Sequence, residues 1–208
     1  MIGNFYREGK VYCTQAPEVY DHDFNSFSEG TIIPHGIYDI KRNEGYVTLG
    51  ISKDTSEFCT DCIRDWWQNY GKQNYPYADS ILVLADGGGS NSSRHYIFKE
   101  DLQKLVNDIG IEICMSHYPP YTSKYNPIER RLFCHIARVW SGVVFSDIYV
   151  VNDLVNQTST SKGLKVFSVI KEKIYATARK VSDTFKENLP IIFDSRLGKW
   201  NYTAIPQV

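Results

Sequence analysis

The run Ile81-Leu82-Val83-Leu84-Ala85 stops abruptly at Asp86 and three glycines, Gly87 to Gly89, and it constrains this chain more than any other feature. An aliphatic stretch of that length, closed by a turn signal, is too short for a helix and fits a strand covered on both faces. In open α/β sheets, ligands bind in the crevice beyond the carboxyl ends of such strands, where Asp86 falls. The glycines are not followed by Gly-Lys-Ser/Thr, so they read as a tight turn leaving room for a substrate, not as a nucleotide-binding loop.

Periodicity on either side extends this to an α/β pattern. Residues 1–31 carry Pro17 and the polar run YDHDFNSFSEG and read as irregular, with at most one short strand. GIYDI and YVTLGI, joined by KRNEG, predict a hairpin in which Val47, Leu49 and Ile51 share a face. Asp54 or Thr55 caps a helix through Trp67, whose apolar residues (Phe58, Cys62, Ile63, Trp66, Trp67, Tyr70) recur at helical spacing. Phe98, Leu102, Leu105, Val106 and Ile109 mark a second helix ended by Gly110, and IEICMS supplies another buried strand. After the proline loop HYPPYTSKY, Asn126-Pro127 opens a third helix with Ile128, Leu132, Phe133, Ile136 and Val139 inward. Residues 147 to 178 are expected to add one or two helices, and KWNYTAIP a final short strand. The organisation expected is one domain over 1–208: an irregular 1–31, a motif-bearing core 32–140, and a helical C-terminal part and tail 141–208.

Composition narrows the function classes. No apolar stretch reaches the length of a membrane span and the N-terminus is not signal-like, so the expected location is the cytoplasm, with no membrane partner. The odd set Cys13, Cys59, Cys62, Cys114 and Cys134 reads as buried thiols of a reducing compartment, and the CxxC at 59–62 as core packing within a helix. The net charge of -1 gives no global footprint for nucleic acid. From Ser116 to Phe145, however, Lys124, Arg130, Arg131 and Arg138 stand against Glu129 alone, so phosphate contacts are expected there, while the first thirty residues lean acidic.

Glu129, in the first turn of the third helix, can share a hard divalent cation with Asp86, since such cations take oxygen ligands. Each acid also has a plainer reading. Asp before glycine is common turn chemistry, and Asn126-x-x-Glu129 has the spacing of a helix capping box.

The runs ILVLADGGGSNSSR, HYPPYTSKYNPIERRLF and IPHGIYDIKRNEGYVTLG, with the closing KWNY, resemble the Rhodopirellula-type transposase DDE-domain family, a bacterial insertion-sequence group, over nearly the whole chain. The stretch into NPIE also resembles mariner-like transposases. The resemblance implies a ribonuclease H-like fold, a mixed sheet flanked by helices. It further implies a site for two Mg2+ or Mn2+ ions, nicking of transposon ends, and joining of the freed 3′ hydroxyl to target DNA. Residue by residue, Asp86 matches the second catalytic, metal-binding carboxylate and Glu129 the third. The counterpart of the first is expected upstream of Met1, so the chain reads as N-terminally truncated and lacking the first central strand. Asp39 is the substitute carboxylate within the chain.

Asn91, Arg94, His117, Lys124, Arg130 and Arg131 are candidate DNA phosphate contacts. The expected partners are transposon-end and target DNA, a second copy, or a full-length transposase, with nucleoid association when on DNA. The rival expectation is a truncated, inactive remnant that binds DNA or a partner transposase without cutting; an unrelated metal-dependent nuclease or phosphatase is a third.

Overall fold

Turn formers at 40–43 and the alternation on either side of them produce the expected hairpin: β1 (Ile33–Asp39) pairs antiparallel with β2 (Glu44–Gly50) in an unbroken register from Ile33 opposite Gly50 to Asp39 opposite Glu44. Val47 and Leu49 are buried, whereas Ile51 falls just past the strand and is exposed. The structure, a computed structural model, describes residues 1–119 and 121–207, apart from the side chain of Ser123. Pro120 of the proline loop and Val208 of the expected 1–208 domain lie outside the described residues.

The chain divides into two compact units, Met1–Ser52 with Pro127–Ile174, and Lys53–Asn126 with Tyr175–Val208. In the first, β2 is the middle strand, with β1 on one side and β5 (Lys165–Lys171) parallel on the other. Of the one or two helices expected within 147–178, α5 (Ile148–Asn156) forms, and β5 is a strand that the sequence did not announce in that helical C-terminal part. KVFSVIK has apolar residues on both faces, so it lacks the alternation that announces a half-buried strand. Residues 1–31 form only isolated bridges, Ile2 with Gly30 and Phe5 with Tyr20, and one short turn of helix. The core is aliphatic, with Val47, Leu49, Leu132, Ile136, Val155 and Leu164 among its buried members.

The second unit holds a four-stranded mixed sheet ordered β3 (Ser80–Ala85), β4 (Glu112–His117), β7 (Asn201–Ala204), β6 (Ile191–Phe193). β3 and β4 are parallel, and the later pairs antiparallel. Helix α1 (Ser56–Trp66) starts at Thr55, whose side chain accepts from the Phe58 amide, and continues through a widened turn (Trp67–Gly71) into α2 (Lys72–Asn74). Helix α3 (Tyr96–Ile109) ends at Gly110, which is left-handed with φ 73°, as the sequence predicts. The short α6 (Asp183–Glu187) precedes β6.

One expectation fails here. β3 is not covered on both faces: Leu82 is 63% and Leu84 37% exposed. A continuous apolar run reports side-chain character and carries no information about whether another element packs on its second face. The thiols are likewise mixed: Cys59 and Cys62 are buried, while Cys13 is exposed and Cys114 and Cys134 are half-buried. Two mixed sheets flanked by helices make this the mixed α/β architecture expected of a ribonuclease H-like domain.

Candidate functional site

Asp86 follows directly on β3, where the Tyr118 amide donates to the Ala85 carbonyl at 2.8 Å and closes the strand's end. The loop behind it is held from beneath by two buried side chains. Lys99 on α3 donates its ammonium to the Ser93 carbonyl, and the His117 ring lies between the Asn91 carbonyl at 2.8 Å and the Trp200 carbonyl at 2.9 Å. His117 also stacks on Tyr202, whose ring faces the Lys99 ammonium at 4.8 Å. Burial holds the Lys99 ammonium below the ordinary lysine range. Asp86 itself is exposed, and its carboxylate makes no hydrogen bond or ion pair among the described residues. The turn-forming reading of Asp86 thus finds no bond to rest on.

Glu129 belongs to the first unit. Its helix opens at Pro127, widens over Glu129–Phe133, and continues as α4 (Cys134–Trp140). Such widened turns occur often at functional sites. The helix approaches the sheet closely because two glycines face it. A Cβ on Gly45 would stand 2.3 Å from a methyl of the fully buried Leu132, and one on Gly36 2.6 Å from the Phe133 ring. With Leu132 pinned inward, Glu129 is exposed, and its carboxylate makes no hydrogen bond or ion pair among the described residues. The capping-box bond from Glu129 is therefore not formed.

The model of one family, described as the Rhodopirellula transposase DDE domain, matches residues 1–206. The chain belongs to that family. No curated protein and no solved structure matches it.

In this transposase domain, Asp86 in the second unit and Glu129 in the first are each an exposed carboxylate without a hydrogen bond or ion pair among the described residues, the type of oxygen donor that a hard divalent cation takes. No group of three or more His, Cys, Asp or Glu placed to hold a metal occurs among the described residues. Asp39 is buried at the end of β1 and accepts the Arg42 amide at 3.0 Å, which ties it into the hairpin turn. Of the candidate phosphate contacts, Arg94 and Lys124 are exposed in the second unit, with Lys124 over the Tyr125 ring at 5.1 Å. Arg130 and Arg131 are exposed in the first unit beside Glu129. Asn91 and His117 are brought together, but by the bond that anchors the loop.

One acid near Asp86 was readable only as a cap. Because Thr55 takes the capping role on α1, Asp54 is left exposed, with a carboxylate oxygen 3.6 Å from where a Cβ would stand on Gly89. Asp54 and Asp86 both act on the Cys59 thiol, which is pushed up first by burial, then by Cys62, then by Asp54, Asp86 and Asp101. The sequence signal was the adjacency of two capping residues, of which a helix uses one.

Proposed function

We propose that this domain carries out DNA transposition chemistry: metal-dependent cleavage of phosphodiesters at transposon ends and transfer of the freed 3′ hydroxyl to target DNA. Family membership over residues 1–206 carries the reading. Two further observations support it, the uncommitted carboxylates of Asp86 at a strand's carboxyl end and of Glu129 on a widened helical turn.

Asp86 and Glu129 would hold Mg2+ or Mn2+. Such ions, when bound, supply charge neutralisation and a more acidic attacking hydroxyl. The buried anchors Lys99 and His117 keep the loop after Asp86 in one conformation, so its carboxylate meets a substrate with little reorganisation. Arg130 and Arg131, next to Glu129, and Arg94 and Lys124 would neutralise DNA phosphates. A second copy or a full-length transposase is the protein partner this reading proposes.

The test is cleavage of transposon-end DNA with manganese by the wild type, D86A and E129A. The wild type is expected to cut, and each variant to lose at least a hundredfold in rate with its thermal midpoint unchanged; cutting that survives D86A would remove the assignment. A second reading, a domain that binds DNA or a partner transposase without cutting, is favoured by one observation: Asp39, the substitute carboxylate, is committed to the Arg42 amide. Wild-type binding without cleavage would establish that reading instead.

A further inference from the structure

The first unit contains a cavity of about 480 Å3 between the N-terminal segment and the loop after α4, lined among others by Tyr6, Arg7, Lys10, Tyr12 and two glycines, Gly9 and Gly142. It is a built feature. Gly9 has φ 125° and Gly142 has φ 71°, and the two backbones cross so closely that a Cβ on Gly9 would stand 1.8 Å from the Ser141 hydroxyl and one on Gly142 3.0 Å from the Lys10 nitrogen. The crossing is tied by the Gly142 amide and the Ser141 hydroxyl, both donating to the Glu8 carbonyl at 3.0 and 3.2 Å.

The charge in this cavity is unusual for its surroundings. The first thirty residues hold five acids, Glu8, Glu18, Asp21, Asp23 and Glu29, yet none of them lines it, while Arg7 and Lys10 both do. Neither cation has a carboxylate partner among the described residues. Arg7 is half-buried, its guanidinium carbon 3.4 Å from the centroid of the Phe145 ring and one nitrogen donating to the Met1 carbonyl at 3.1 Å, while its Nε is buried without an acceptor. A half-buried cation without a counter-charge carries a desolvation cost that an anion in the cavity would offset. At the rim, the Tyr6 and Tyr12 side chains are exposed, as a surface on which bases stack requires.

We propose that this cavity binds a nucleotide of single-stranded DNA, its phosphate held by Arg7 and Lys10 and its base stacked on Tyr12. The inference rests on DNA being the substrate of this domain and assigns a strand-binding site apart from Asp86 and Glu129. It also adds a phosphate contact in the segment whose overall charge is acidic.

The experiment measures fluorescence anisotropy of a labelled single-stranded oligonucleotide and of its duplex with the wild type, R7Q/K10Q and Y12A, with thermal melts of each. Expected are an affinity for the single strand about tenfold weaker in Y12A and lower still in R7Q/K10Q, and duplex binding changed less than threefold. Should R7Q/K10Q fail to fold, Y12A decides, because Tyr12 is fully exposed and its loss leaves the core intact. Unchanged single-strand affinity in Y12A, or parallel loss of single strand and duplex, overturns the proposal. Wild type that cuts transposon ends without binding single strands also overturns it while leaving the proposed function standing; the expected binding pattern without any cleavage supports the cavity and removes that function.

Discussion

The two units of this domain are stabilised by different means. The first is held by aliphatic packing, with Leu132, Ile136, Val151 and Val155 buried from the helices and Val47, Leu49 and Val166 from the strands. The second adds a network of ion pairs and hydrogen bonds around two buried acids to a mixed aliphatic and aromatic core: Asp101 accepts from Ser56 and from both terminal nitrogens of Arg179, and Tyr175 donates to Asp61, which also takes Arg64. An aliphatic core loses stability in proportion to the volume removed. A buried ionic network fails by leaving one partner unpaired in a poor solvent. The contrast bears on function, because Glu129 belongs to the first unit and Asp86 to the second.

The sharpest way to break the comparison is Asp101→Ala, which leaves the Arg179 guanidinium without its main partner and is expected to cost about 3–5 kcal/mol. Urea unfolding would measure it, and a loss under about 1 kcal/mol would mean that solvent already screens the network. Leu132→Ala in the first unit is expected to cost about 2–5 kcal/mol by opening a cavity beneath the Glu129 turn. That variant should also lower the cleavage rate, whereas loss of stability alone would separate the packing from the placement of the acid.

The smallest effect concerns Asp147, which caps α5 by accepting the Tyr149 and Val150 amides at 2.8 and 2.9 Å. Its carboxyl is held below the ordinary aspartate value of 3.8, first by the Val150 amide and then by the Ser146 hydroxyl. A depressed carboxyl stabilises the folded state above the unfolded value and loses that contribution as pH falls through the folded value. Asp147→Asn keeps the cap without the charge, so its thermal midpoint should lie below the wild type's at pH 5 and converge with it as the pH is lowered below 3.8. Parallel midpoints throughout would show that the charge contributes nothing.

What could be read from the sequence follows from where the physics is local. The β1–β2 hairpin, the start of α1 at Thr55 and the end of α3 at Gly110 are set by turn and cap chemistry within a few residues, and they stand where the sequence places them. β5 was illegible because Val166 and Phe167 put apolar groups on opposite faces, and its pairing with β2 spans more than a hundred residues. The open face of β3 escaped for a related reason: nothing in ILVLA distinguishes a covered second face from an open one. At the site, the strand-end position of Asp86 and the helical position of Glu129 were legible. The buried anchor Lys99 was not, since a lysine at helical spacing reads as solvated until the Tyr202 ring comes to face it. The Arg7 cavity was hidden by averaging, because a net acidic segment can place its two cations in the lining and its five acids out of it.

Gly36 and Gly45 carry no functional group, yet the separation between the sheet and the helix bearing Glu129 is fixed by what they lack. A methyl added at either position acts as a spacer, displacing the carboxylate by a fraction of an ångström while leaving every charged and polar residue in the chain intact. Tolerance to substitution in this domain is therefore not a map of its chemistry: the least reactive positions in the sheet are among those where ordinary drift would be most expensive for precision.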